Sequence, residues 1–227
     1  MKKAPELREP EEEKHIFTEG VDYFKTGKVS IWGPGDKDTL ELLNKTGIHG
    51  RWLNLAAGDG RYNLDLLKKA DFVVASDADE NALRKLWDNT PVKHRTKLDT
   101  KVFDITQRFP FEDDSFDGAF CASTLHYFPK EILLKIISEI DRIIKPNGKI
   151  IIEFATDIKR VLPDGKPYIR KSEPQYTFEE GKEILSELLN NYRVKIIKSE
   201  VPPEEIRTYR FVYTLSCQLI LLIAEKK

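Results

Sequence analysis

The stretch Arg51-Trp52-Leu53-Asn54-Leu55-Ala56-Ala57-Gly58-Asp59-Gly60-Arg61 decides the fold. Its apolar first half predicts a buried β-strand, and small residues follow directly before a helical pattern begins. Glycine lets the backbone approach a ligand closely, and the N-terminus of the next helix presents free amide groups. The stretch therefore predicts either a ligand-binding turn or an ordinary tight turn, and the rest of the sequence has to separate the two.

Predicted strands and helices alternate on the carboxyl side of this turn, which is typical of right-handed βαβ units and a parallel sheet. The architecture that follows is a doubly wound α/β fold with helices on both faces of the sheet. The predicted strands are Arg51–Leu55, Phe72–Ser76, Lys101–Phe103, Phe116–Cys121 and Lys149–Phe154. The predicted helices are Arg61–Lys69, Glu80–Trp87 and Lys130–Ile144.

The pattern changes after Thr156. Residues 157–176 combine prolines, a glycine and basic side chains, which indicates an irregular insertion. A helix (Phe178–Asn190) and two strands (Arg193–Ser199 and Phe211–Ile223) are predicted next. Because no helix separates these two strands, they should pair antiparallel. We divide the chain into an N-terminal extension, residues 1–37, and a single domain, residues 38–227. The extension is expected to form either a lid or an aromatic patch on the edge of the domain.

Carboxylates stand where predicted strands end. Asp77 follows the second strand 17 positions after Gly60 (77 − 60), close to the ~20 at which an acidic residue binds a ribose hydroxyl in nucleoside-binding folds. Asp104 ends the next strand. Asp77 could instead cap the following helix, a role for which Asp79 competes.

The chain resembles, over about residues 38–156, a class I S-adenosylmethionine-dependent methyltransferase of the small-molecule, methyltransferase type 11-like group. That family's acidic-x-Gly-x-Gly-x-Gly motif falls on residues 54–60. Residues 109–117, 125–127 and 143–148 are similar to its "LPF…SFD", "LHH" and "vLKPGG" stretches. The resemblance implies S-adenosylmethionine as cofactor and a Rossmann-like sheet of seven strands, mostly parallel, with an antiparallel last strand.

The resemblance also assigns site residues. It places the ribose on Asp77 and the adenine on Asp104 and its neighbour Ile105. Asn54 replaces the family's usual acid and keeps only an oxygen acceptor, while Ala56 replaces the first glycine, which the backbone tolerates if φ is negative there. The full cofactor-binding set implied is Asn54, Ala56, Gly58, Gly60, Asp77, Ala78, Asp104, Ile105 and Cys121.

Several competing functions are disfavoured. A nicotinamide-dependent oxidoreductase needs a third small residue where Asn63 stands. Amino-directed nucleic-acid methyltransferases carry an Asn/Asp-Pro-Pro-aromatic motif where this chain has residues 121–124. In cytosine C5 methyltransferases the nucleophilic cysteine follows a proline, but neither Cys121 nor Cys217 does so here. An RNA methyltransferase and a noncatalytic protein that uses this fold for binding remain alternatives.

Methyl transfer from a sulfonium depends chiefly on alignment of the nucleophile, so a general base is optional. The resemblance leaves catalytic residues unassigned. His126 or Tyr127 could serve as a base, with Glu153 as a second candidate, but a packed or solvated histidine is at least as good an interpretation. The basic residues of the 157–176 insertion favour a small acceptor that is anionic or aromatic. A solvated basic loop is the alternative.

Composition sets the remaining expectations. With 37 basic and 38 acidic residues, the net charge of −1 provides no long-range field for nucleic acid. The two cysteines build neither a disulfide framework nor a zinc site, and we expect no metal. No signal-peptide core or membrane-length apolar run occurs, so we expect a cytoplasmic protein. Abundant Lys and Glu favour a heat-adapted source. The oligomeric state is left open.

Overall fold

The computed structural model describes residues 22–170, 173–207 and 212–227. Six α-helices occur in this part of the chain: α1 (Lys37–Lys45), α2 (Asn63–Leu67), α3 (Glu80–Asn89), α4 (Val92–Arg95), α5 (Lys130–Ile143) and α6 (Phe178–Leu188). The strands are β1 (Arg51–Leu55), β2 (Phe72–Asp77), β3 (Leu98–Val102), β4 (Phe116–Ala122), β5 (Ile144–Val161), β6 (Tyr192–Arg207) and β7 (Val212–Lys226). A single 3-10 turn, Leu125–Tyr127, follows β4.

The seven strands form one sheet in the order β3-β2-β1-β4-β5-β7-β6. Strands β1 to β5 pair in parallel, and β7 lies antiparallel between β5 and β6. This confirms the predicted doubly wound α/β class, the antiparallel last strand and its pairing with the preceding one. In the described part of the chain, no helix has the length and apolar character needed to cross a membrane.

Two apolar clusters cover the two faces of the sheet, as expected for parallel strands buried on both sides. Helices α5 and α6 pack on one face, with Ile136 and Leu185 fully buried there. Helices α1, α2 and α3 pack on the other face, with Leu43 and Leu66 fully buried. Because successive strand residues point to opposite faces, Trp52 joins the second cluster and Leu53 the first.

The main departures from the sequence prediction lie at the carboxyl end of β5. This strand was expected to stop at Phe154, but it continues to Val161 and pairs with β7 through a register shift between Thr156 and Lys159. The predicted insertion therefore begins as strand, turns back on itself through a bridge between Val161 and Pro167, and is irregular only beyond that point. Helix α1 was not predicted.

Strand β6 is also longer than expected, reaching Arg207 instead of ending at Ser199. It too shifts register, between Val201 and Glu204, opposite the middle of β7. Bulges of this kind increase local twist and bend a strand. The carboxyl ends of β5 and β6, together with the beginning of β7, form an extension beyond the carboxyl edge of the parallel strands. Residues 1–21, Lys171 and Phe211, which belong to predicted segments, lie outside the described residues.

Candidate active site

The glycine turn follows β1 directly and is tied to the end of β2. The Gly58 amide donates a 2.8 Å hydrogen bond to Asp77 Oδ2, which links the turn to the predicted ribose acid. The Gly60 amide donates to the Ala57 carbonyl at 3.0 Å and closes the turn before α2. Both glycines have positive φ, 54° at Gly58 and 93° at Gly60, so the turn requires the conformational freedom that these residues supply.

Ala56 corrects one expectation. Its φ is 53°, not negative, so the substitution of the family's first glycine is tolerated only at the cost of a left-handed alanine. That conformation costs roughly 1–2 kcal/mol for a residue with a Cβ atom. The reason is the shape of the turn, in which alternate positions 56, 58 and 60 all adopt positive φ.

Asp77 is not the cap of the helix that follows it. Its Oδ1 accepts the Asp79 amide at 3.0 Å, while Asp79 itself caps α3 by accepting the Asn81 amide at 2.8 Å. Burial raises the pKa of Asp77, and the backbone hydrogen bonds from Asp79 and Gly58 oppose that shift. Each carboxylate oxygen of Asp77 still has capacity for a further donor, because two oxygens offer about four acceptor positions.

Asp104 lies just past the end of β3. Its Oδ1 accepts hydrogen bonds from both the amide and the hydroxyl of Thr106, at 2.8 Å each, which fixes the carboxylate. The neighbouring Ile105 is buried. On β4, Cys121 is buried, and burial raises the pKa of its thiol. Ala78, after β2, is exposed.

The nine predicted cofactor residues therefore lie along one edge. They sit at or just beyond the carboxyl ends of β3, β2, β1 and β4, which are neighbours in the sheet. The register places Asp77 opposite Val102 and Leu55 opposite Cys121. This edge is where open α/β sheets bind ligands.

Asn54 is buried beneath the glycine turn instead of facing outward from it. Its amide Nδ2 donates to Asn63 Oδ1 at 3.0 Å, which holds the start of α2 against β1. Among the residues that the structure describes, Asn63 Nδ2 finds no hydrogen-bond partner. The Asn54 amide thus helps to pack β1 against α2. The ionised acid that the family has at this position would have no hydrogen to donate to Asn63 Oδ1.

Glu153 is a buried anchor. Its side chain is 1% exposed and accepts hydrogen bonds from three hydroxyls, those of Thr39, Tyr62 and Ser123. These donors come from α1, the start of α2 and the loop after β4, so the carboxylate joins three segments. Burial raises the pKa of Glu153, and the hydroxyl donors oppose the shift. A carboxylate enclosed in this way is not placed to take a proton from an acceptor, which argues against the predicted base role.

His126 is also buried, in the 3-10 turn after β4, with its ring 4.0 Å from that of Tyr127. Burial, with the nearby charges of Arg160 and Arg170, lowers the pKa of His126 to about 3. The imidazole is therefore neutral near pH 7 and a weak proton acceptor, since an effective general base has a pKa near the working pH. Its Nδ1 atom finds no partner within the described chain.

The extension beyond the sheet edge supplies a buried polar cluster that the sequence did not resolve. Arg160 and Glu173 form a two-point ion pair, with Nη1–Oε2 at 2.7 Å and Nη2–Oε1 at 2.8 Å, and both side chains are almost fully buried. Glu173 Oε1 lies 3.9 Å from His126 Nε2. We call this set the arginine–tyrosine cluster; its members are His126, Tyr127, Arg160, Tyr168, Arg170, Glu173 and Tyr213.

The predicted basic loop thus divides into two kinds of residue. Arg160 is buried, and the Arg170 guanidinium lies 5.8 Å from the centre of the Tyr127 ring. Lys159 and Lys166 are exposed, as a solvated loop predicts. A signal for this division was present in the sequence, because Glu173 is an acid within a basic segment, but the pairing depends on the long-range fold.

Comparison with known proteins agrees with this geometry. A family model described as a methyltransferase domain matches residues 53–152. A sterol 4-C-methyltransferase of Caenorhabditis elegans is 33% identical over 104 residues, which are 44% of this chain and 29% of that protein. The chain spans about half or less of the length of the curated relatives that it matches.

Solved structures share the fold at low identity. The YcgJ protein of Bacillus subtilis superimposes with a TM-score of 0.64 at 16% identity, covering 85% of this chain and 99% of that one. The DhpI–SAH complex has a TM-score of 0.55 at 21% identity and covers 79% of this chain and 81% of DhpI. The predicted resemblance is confirmed: residues 53–152 match the methyltransferase-domain model, and the described chain shares its fold with these solved structures.

Proposed function

We propose that this chain binds S-adenosylmethionine and transfers its methyl group to an anionic oxygen of a small-molecule acceptor. The observation that carries the proposal is the placement of two different sites on one edge of the sheet. The glycine turn, Asp77 and Asp104 occupy the carboxyl ends of four strands, and the arginine–tyrosine cluster stands on the extension beside them. The DhpI–SAH complex and the sterol methyltransferase relative support the cofactor and a small acceptor by analogy.

The residues at the edge fit this cofactor. A Cβ atom built on Gly58 would meet only the Trp32 indole nitrogen, at 3.8 Å, so the backbone of the turn is accessible to a ligand. The carboxylate of Asp77 has acceptor capacity left for a ribose hydroxyl. Asp104, to which the resemblance assigns the adenine, is held by hydrogen bonds from Thr106. We assign the predicted cofactor set to this role, except Asn54, whose side chain is buried against Asn63.

The acceptor class is inferred from the hydrogen-bond donors of the cluster. Arg160 and Arg170 contribute guanidinium groups, and Arg160 is paired with Glu173. Guanidinium groups bind the oxygens of a carboxylate and disfavour an ammonium group. Tyrosine rings and hydroxyls around them, from Tyr127 and Tyr213, suit an aromatic or unsaturated acid.

An anionic nucleophile also removes the need for proton transfer. S-adenosylmethionine supplies a methyl group on a cationic sulfur, and transfer to a carboxylate or phenolate oxygen yields a methyl ester or ether and a neutral thioether, so the charges balance without a base. Neither His126 nor Glu153 is then required to accept a proton. Their burial agrees with roles in packing and orientation.

The first experiment is isothermal titration with S-adenosylmethionine and S-adenosylhomocysteine. Binding in the micromolar range, about −8 kcal/mol, is expected for the parent protein. Asp77→Asn preserves shape but removes the charge, and it should weaken binding about 10- to 100-fold, as for the loss of hydrogen bonds to a charged group. Asp99→Asn, an exposed carboxylate on β3, is the matched control. Absence of binding by the parent would favour the noncatalytic alternative.

The acceptor class is tested with radiolabelled methyl donor and matched probe pairs, in which an aromatic carboxylic acid is compared with its amide and with the corresponding amine. The proposal expects label transfer to the acid alone among the three. Transfer to the amine in preference to the acid would contradict an anionic acceptor while leaving the methyltransferase assignment intact.

A further inference from the structure

Asp59, between the two glycines of the turn, does not face solvent. Its Oδ1 accepts the Ser30 hydroxyl at 2.6 Å, and its Oδ2 accepts the Ile31 amide at 2.8 Å. Lys85 Nζ lies 3.3 Å from the same Oδ2, and the two side chains are 0% and 1% exposed. A residue of the glycine turn is thus bonded to a segment nearly thirty positions earlier in the chain.

Lys85 makes the second half of this attachment from α3. Its ammonium donates to Thr26 Oγ1 and to the Val29 carbonyl, both at 2.7 Å. Taking a lysine and an aspartate out of water costs several kcal/mol per ion unless each is paired and hydrogen-bonded. Here every bond beyond the ion pair goes to residues 26–31, so the buried charges stabilise the position of that segment.

The segment crosses the proposed cofactor edge. At one end Tyr23 is 5% exposed, and burial, with the nearby charges of Asp77 and Asp79, raises the pKa of its hydroxyl. At the other end the Trp32 indole nitrogen stands over Gly58. Residues 22–35, which we call the strap, therefore run from the ribose acid to the glycine turn.

We propose that the strap closes the cofactor site and that Asp59 and Lys85 are positioning residues that hold it shut, so that release of the strap limits exchange of cofactor and product. This inference rests on the proposed function. It assigns Asp59 a role distinct from that of the glycines around it, since its carboxylate is occupied by the strap. It also assigns a role to Lys85, a buried lysine whose hydrogen bonds go to Thr26 and Val29 of the strap.

The test measures the dissociation rate of S-adenosylhomocysteine by stopped-flow displacement, together with hydrogen exchange of residues 22–35. Lys85→Met keeps the length of the side chain but removes its bonds to the strap, and release should become about tenfold faster or more. Ser30→Ala removes the bond to Asp59 and the bond that Ser30 Oγ accepts from the Trp32 amide within the strap, but it leaves the buried ion pair intact. A smaller acceleration is expected from it even if Lys85→Met proves unstable. Lys68→Met, an exposed lysine paired with Asp65, is the control and should release at the parent rate.

Bound S-adenosylhomocysteine should also slow hydrogen exchange in the strap of the parent protein, and Lys85→Met should reverse that protection. Release at the parent rate in both strap variants, with exchange of residues 22–35 insensitive to the ligand, would overturn the inference and leave the proposed function standing. A parent protein that binds neither S-adenosylmethionine nor S-adenosylhomocysteine would overturn both. The two failures are therefore distinguishable in one series of measurements.

Discussion

The two glycines of the turn should respond differently to alanine. Gly60 has φ 93°, and a Cβ atom added there would lie 2.9 Å from Leu86 Cγ of α3. Gly58 has φ 54°, and its added Cβ would make only an ordinary contact, at 3.8 Å, with the Trp32 indole nitrogen. A side chain at position 60 would therefore disturb the packing against α3, whereas a side chain at position 58 would lie in the proposed cofactor site.

The magnitudes follow from these two environments. At Gly60, the left-handed backbone costs about 1–2 kcal/mol and the contact with Leu86 adds roughly 1–3 kcal/mol of overpacking. A gain of about 0.4–1 kcal/mol from the less flexible unfolded chain offsets part of this. Gly60→Ala should thus lower the free energy of unfolding by about 1–4.6 kcal/mol. At Gly58 only the backbone cost and the offsetting gain remain, so Gly58→Ala should lower it by about 0–1.6 kcal/mol.

The assay combines urea denaturation with titration of S-adenosylhomocysteine. Gly58→Ala should unfold near the parent midpoint but bind the ligand at least about tenfold more weakly, since the new methyl group occupies space beside the turn. Gly60→Ala should show the larger loss of stability. The reasoning is refuted if the two variants lose equal stability, or if Gly58→Ala binds as tightly as the parent while Gly60→Ala does not.

Two further predictions concern the buried carboxyl group of Glu153 and the left-handed backbone of Ala56. Burial raises the pKa of Glu153 above its ordinary value of 4.5, so its contribution to stability is present below pH 4.5 and is lost as the pH rises through the folded-state pKa. The free energy of unfolding of the parent, measured relative to that of Glu153→Gln, should therefore fall as the pH rises above 4.5. A difference that does not change with pH would argue against this. Ala56→Gly should relieve the left-handed alanine and stabilise the protein by up to about 1 kcal/mol in urea denaturation, whereas a loss of stability would show that the alanine conformation carries no strain.

The positions of the proposed cofactor residues at one edge of the sheet could be predicted from the sequence because they depend on local features. The glycine turn, Asp77 and Asp104 each follow a strand that its own apolar residues specify, and parallel order then brings the strand ends together. The sign of φ at Ala56 could not be predicted, since the same residues allow more than one tight turn. Nor could the attachment of Asp59 to Ser30, which depends on where an N-terminal segment returns to the fold.

The residues of the proposed acceptor site are harder to predict from the sequence, because their positions depend on long-range strand pairing. Arg160 reaches the arginine–tyrosine cluster because β5 continues past the sheet edge and pairs Arg160 with Leu215 of β7, after the register shift beyond Thr156. That register depends on residues more than fifty positions away, and the strand pattern of 157–161 is obscured by its charges. The family match ends at residue 152, before this extension begins. The proposed cofactor turn thus lies within the matched segment, while Arg160 and Glu173 of the proposed acceptor cluster lie beyond it. If the proposal is right, exchange of residues 153–227 between related domains should alter the acceptor while preserving cofactor affinity.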